Sequence, residues 1–131
     1  MSAVFYPGQY DYVEKLNLLG NLITDTQQTA VVGTTTVNMS LGANFLITLA
    51  AGNTTLAFSN IPSGSLALKY VFIIRQDSVG SRTVTWPASV KWPSGTVVQP
   101  STGANRYTVF ELVTFDSGTI WFAYSPGQNY I

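Results

Sequence analysis

From residue 30 onward, apolar and polar residues alternate in short runs rich in Val, Ile, Thr and aromatics, broken by Gly, Asn, Ser and Pro. A period of two belongs to half-buried strands, and breaks this frequent belong to a sandwich or barrel. Eight runs fit that description: residues 30–38, 44–50, 54–59, 67–76, 82–86, 89–92, 106–115 and 119–124. The first is Thr-rich and suits an edge or a solvated face. In the second and third, Phe45, Ile47, Leu49, Leu56 and Phe58 point inward, and the Gly52-Asn53 turn between them predicts a hairpin. The fourth places Leu68, Tyr70, Phe72 and Ile74 on one face and Val71 and Ile73 on the other. Apolar residues on both faces mark a central strand or one covered by a neighbour. Trp86-Pro87 and Trp92-Pro93 end the next two runs, and proline, which cannot donate to a ladder, sets corners or edges there. The last two runs flank Asp116-Ser117-Gly118 and predict a second hairpin.

Residues 1–29 differ in kind. Phe5-Tyr6-Pro7-Gly8 breaks regular structure, and Asp11-Tyr12-Val13-Glu14 has the spacing of a capping box. Val13, Leu16, Leu19 and Ile23 then form a helical stripe of about three turns, weakened at Gly20. So short a helix is marginal alone in water, so the stripe must dock, either on its own domain or on a partner. The chain therefore divides into an N-terminal arm, residues 1–29, and a β-domain, residues 30–131.

Composition narrows function by exclusion. The 131 residues carry six basic and six acidic side chains and neither His nor Cys. Without those two residue types there is no Ser-His-Asp or Cys-His nucleophile, no zinc site of the usual ligands and no disulfide. Zero net charge removes the attraction that nucleic-acid binding and polybasic membrane anchors rely on. No secretory signal or membrane-length apolar run is visible. Residues 26–68 contain no charge at all. Such a surface has little protection against association and suits burial against partners.

Few groups remain for catalysis. The β-domain's carboxylates are Asp77, Glu111 and Asp116; the first and last fall in turns, where Asp bonds its own backbone. Glu111 interrupts an apolar strand and calls for a solvated face or an ion pair with Lys69, Arg75 or Arg82. No cofactor or metal is implied, and the expectation is a protein that is not an enzyme. Trp86, Trp92, Trp121, Tyr107 and Tyr124 could make a stacking platform for sugar rings, although their apolar neighbours favour the core. Lys91 and Asn105 are the nearest polar groups to such a platform.

The stretch from Gly80 to Gly95, with Thr85-Trp86-Pro87 and Lys91-Trp92-Pro93, resembles a β-domain of tailed-bacteriophage virion proteins, found in tail-fibre C-terminal regions and capsid decoration proteins. Asn53 to Asn60, Ile73 to Asp77 and Phe110 to Phe122 extend the resemblance. It implies a non-enzymatic virion part, made in the bacterial host, with an all-β, jelly-roll-like antiparallel β-sandwich of about eight strands that associates as a homotrimer. Because only the arm precedes the β-domain, the first expectation is a capsid decoration (cement) protein. Its arm would grip the major capsid protein through Phe5, Tyr6, Tyr10, Tyr12, Val13, Leu16, Leu19 and Ile23. The alternative is a short tail-fibre or receptor-binding protein. Trp86, Lys91, Trp92, Asn105 and Tyr107 would then contact host-surface glycan, or a second copy.

Overall fold

The computed structural model describes residues 25–29, 33–64 and 67–131. The arm residues named above, and the expected helix, lie outside them. Among the described residues nine strands form: β1 (Asp25–Thr29), β2 (Gly33–Asn38), β3 (Asn44–Thr48), β4 (Asn53–Ser59), β5 (Leu68–Arg75), β6 (Thr83–Thr85), β7 (Val90–Lys91), β8 (Tyr107–Thr114) and β9 (Trp121–Tyr130). A 3₁₀ turn, Pro93–Gly95, follows β7. The strands lie in two sheets, ordered β1-β3-β5-β8-β9-β7 and β2-β4-β6. The all-β sandwich expected from the alternation is therefore present.

Its strand directions differ from the antiparallel expectation. Five of the seven strand pairs are parallel, and only β5/β8 and β8/β9 are antiparallel. Through β6, successive strands alternate between the two sheets, so the chain winds as a roll, each turn contributing one strand to each layer. The predicted hairpin of β3 with β4 is thus not formed. Instead β3 pairs with β1 and β5, and β4 with β2 and β6. The reason is geometric: alternating burial is satisfied equally whether two strands lie side by side or face one another across a core. Gly52, at φ 85°, turns the chain through the corner. Phe45 and Ile47 of β3 and Leu56 of β4 are all buried. The hairpin of β8 with β9 forms as its loop predicts. Asp116 Oδ1 accepts the Ile120 N–H (3.0 Å) and the Thr114 hydroxyl (2.9 Å). Gly118, at φ +86°, sits where a Cβ would meet Ile61 and the Trp121 ring.

The core between the layers is aromatic. Phe72 packs on Phe45, Phe58 and Trp86 with centroids 5.3, 5.6 and 5.7 Å away. Trp121 meets Phe58 and Tyr70 edge-on at 5.7 and 5.5 Å. Both geometries are favoured by the ring quadrupole. β5 is central, as its two apolar faces suggest, and Thr-rich β2 is an edge.

At the other edge of the smaller sheet, β6 has no neighbouring strand among the described residues, and two side-chain amides take the place of one. The Arg82 N–H donates to Gln76 Oε1 (3.0 Å), and Gln76 Nε2 donates to the Arg82 carbonyl (2.9 Å). Two residues on, Gln99 does the same for Val84, at 3.0 and 2.9 Å. Alternate backbone groups of a strand point to the same side, so both glutamines serve the same free edge.

Candidate functional site

The outer face of the six-stranded sheet can be read residue by residue from its register. Inward positions such as Tyr70, Phe72, Phe110, Leu112 and Trp121 are buried, so their sequence neighbours face out. Leu46, Val71, Ile73, Val109 and Val113 make this outer face apolar and half-buried, and Phe122 and Tyr124 are exposed at its β9 side. One ion pair interrupts it, Lys69 Nζ to Glu111 Oε1 at 3.0 Å. Of the three cations weighed for Glu111, the strand register selects Lys69. Hydrogen bonding from Tyr124, its cross-strand partner, and then from Lys69 holds the Glu111 carboxyl below its ordinary pKa. The same contact raises the pKa values of Tyr124 and Lys69.

Asp77 and Asp116 are turn residues, as their positions suggest. Asp77 Oδ1 accepts the N–H groups of Gly80 (2.8 Å) and Val79 (3.0 Å), while Oδ2 meets Arg82 Nε at 3.0 Å. These bonds hold its carboxyl below the ordinary value, with the Gly80 N–H contributing most. The backbone bond from Ile120 does the same for Asp116.

A concave site forms where β7 stops. β7 runs parallel to β9 for two residues, Val90 opposite Trp121 and Lys91 opposite Phe122. Trp92 then turns into the core against Trp86 and Phe110, at 5.7 and 6.0 Å. Pro93 follows and has no N–H with which to continue the ladder. The rest of β9 loses its neighbour, which opens an alcove of about 430 Å³ lined by Lys91, Trp92, Pro93, Phe122, Ala123 and Tyr124. That volume lies within the ~300–1,000 Å³ range of small-molecule sites. Phe122 and Tyr124, 54% and 41% exposed, present two aromatic rings on one face of one strand, roughly 7 Å apart along it. Lys91 stands exposed beside Phe122, with its Nζ 3.2 Å from the Ala88 carbonyl.

The five glycan-contact candidates read from the sequence do not form one site. Trp86 and Trp92 are only 7% and 8% exposed and belong to the core, with Trp92 also lining the alcove. Trp86 borders a second cleft, of about 320 Å³, together with Trp92, Val84, Pro87 and Val90. Asn105 and Tyr107 cluster around Arg75, whose Nη2 donates to Asn105 Oδ1 at 3.0 Å and whose guanidinium lies 5.6 Å over the Tyr107 ring. That cluster and the alcove lie at opposite ends of β8, roughly 20 Å apart at the rise of a strand. Lys91 and Trp92 remain together. The additions are Phe122 and Pro93, whose signals were apolar residues on both sides of the β9 ladder and a proline directly after a strand.

With this geometry in place, comparison with known proteins identifies a family. Residues 21–119 fit the family described as "Putative phage tail fibre C-terminal domain". The chain belongs to that family, and so to the structural proteins of the phage virion. No curated protein and no solved structure matches. The match covers Lys91, Trp92 and Pro93 of the alcove and ends before Phe122.

Proposed function

We propose that this chain is the receptor-facing module of a tail fibre, binding a host-surface glycan in the alcove between β7 and β9 and meeting other copies of itself through the outer sheet face. The observation that carries the glycan reading is the exposed pair Phe122 and Tyr124 lining a concave apolar site. Sugar rings have apolar faces that stack on aromatic planes, while their hydroxyls need polar groups at the rim. Tyr124 and Lys91 supply those groups. The family, described by tail fibres, supports a fibre over the capsid decoration expected first, a reading that rested on an arm of which only β1 is among the described residues.

Arrays of bacterial surface glycans, probed with the intact protein, test the reading. Phe122→Ala should weaken binding roughly tenfold, the equivalent of about 1.4 kcal/mol, near the top of the range for an aromatic contact. Thermal stability should change little, because Phe122 is exposed. Unaltered binding by Phe122→Ala combined with Tyr124→Ala would exclude the alcove.

The outer face supports self-association because it is apolar and its one ion pair is internally neutralised. Copies that meet over its apolar centre leave Arg75, at the end of β5, and Lys91, on the edge strand β7, at the rim, where their charges stay solvated. Ile73→Glu, at the centre of that face, should convert the wild-type oligomer to a monomer in light scattering with the circular dichroism spectrum retained. A monomeric wild type at tens of micromolar would refute the interface.

A further inference from the structure

Building on the glycan reading, we infer that the alcove selects an acidic sugar, whose carboxylate meets Lys91 while its rings lie along Phe122 and Tyr124. Charge compensation across the molecule leads to this choice. Lys69 is paired with Glu111 and Arg82 with Asp77, each at 3.0 Å, so these four charges cancel locally. Among the described residues no carboxylate lies within ion-pair distance of Lys91; its Nζ reaches a backbone carbonyl, which leaves the positive charge uncompensated. Among the described residues Arg75 and Arg106 also have no carboxylate within ion-pair distance, but both lie at the far end of β8, where Arg75 leans on Tyr107.

Lys91 and Phe122 face each other across the β7/β9 pair, roughly 4.8 Å apart by strand spacing, with Tyr124 one further step along β9. A ligand with its acid group at the Lys91 end and an apolar ring face beside it would satisfy both features at once. A neutral sugar would leave the cation with only the Ala88 carbonyl and water. The apolar wall sharpens the difference, since a charge beside low-dielectric surface is screened less than one in open water.

The array described above decides the matter when each acidic glycan is also printed in its carboxyl-reduced, neutral form. The wild-type protein should prefer the acid about tenfold, the scale of one hydrogen bond to a charged group. Rising salt should erode the preference. Lys91→Gln should abolish it, so that acid and reduced forms bind alike, and Lys91→Arg should keep it. Equal binding of acid and reduced forms by the wild type would overturn the acidic-sugar assignment and leave the glycan reading standing. Failure to bind any glycan in either form would overturn both.

Discussion

Replacing Trp121 with alanine should cost about 3–5 kcal/mol, the range for truncating a large buried aromatic. Trp121 has no exposed surface and meets Phe58 from one sheet and Tyr70 from the other edge-on, so it joins the two layers. Its backbone N–H also donates to the Ser89 carbonyl at 2.9 Å, fixing the chain before β7 beside the start of β9. No single neighbour can collapse into the space left, because the rings around it are held by their own contacts with Phe72 and Phe45. Against a total stability of ~5–15 kcal/mol, the loss is a large fraction. Urea denaturation of the variant would measure it. Phe122→Ala, one residue along and on the opposite face, is the internal control. If the two variants unfolded at the same urea concentration, the assignment of faces in β9 would be wrong.

Gln76→Met should cost about 2–5 kcal/mol although it retains side-chain length and apolar volume. Gln76 is fully buried, and its amide satisfies both the N–H and the carbonyl of Arg82. Methionine offers neither donor nor useful acceptor, so two backbone groups lose their partners, at about 1–3 kcal/mol each. The effect should appear as a lowered urea midpoint with an unchanged slope, since the surface exposed on unfolding is the same. Gln99→Met provides the comparison, because Gln99 is exposed and water can replace its amide at Val84. Its loss should be clearly smaller. Equal losses would mean that burial is not what makes the Gln76 pairing strong.

Alternation along the chain predicts eight of the nine described strands and their buried faces; β1, which pairs with β3, falls in the segment assigned to the N-terminal arm. Phe45 and Ile47, Leu56, Tyr70 with Phe72 and Ile74, and the β8–β9 hairpin all stand where a period of two puts them. Strand direction was not legible, because a parallel and an antiparallel strand with one buried face have the same period. The Gly52-Asn53 turn predicts paired strands, yet it joins the two layers. The glycan candidates were only partly legible for a similar reason. Asn105 and Tyr107 are separated from Lys91 by the length of β8, which follows from register and not from composition. Phe122 is exposed beside Trp92 only because pairing with β7 ends at Pro93, a consequence of two strands meeting that are some thirty positions apart in sequence.

A roll whose turns add strands in parallel has, in principle, no natural stopping point, since each new turn leaves an edge like the last. Gln76 and Gln99 end the smaller sheet at β6 by occupying the bonds that another strand, from this chain or a foreign one, would need. On the larger sheet, Pro126 and the shifts of register in the β8/β9 ladder blunt the long free edge of β9 in the same way. At these edges the fold carries its own terminators, so copies crowded together are steered away from open-ended strand addition and toward contact through their faces.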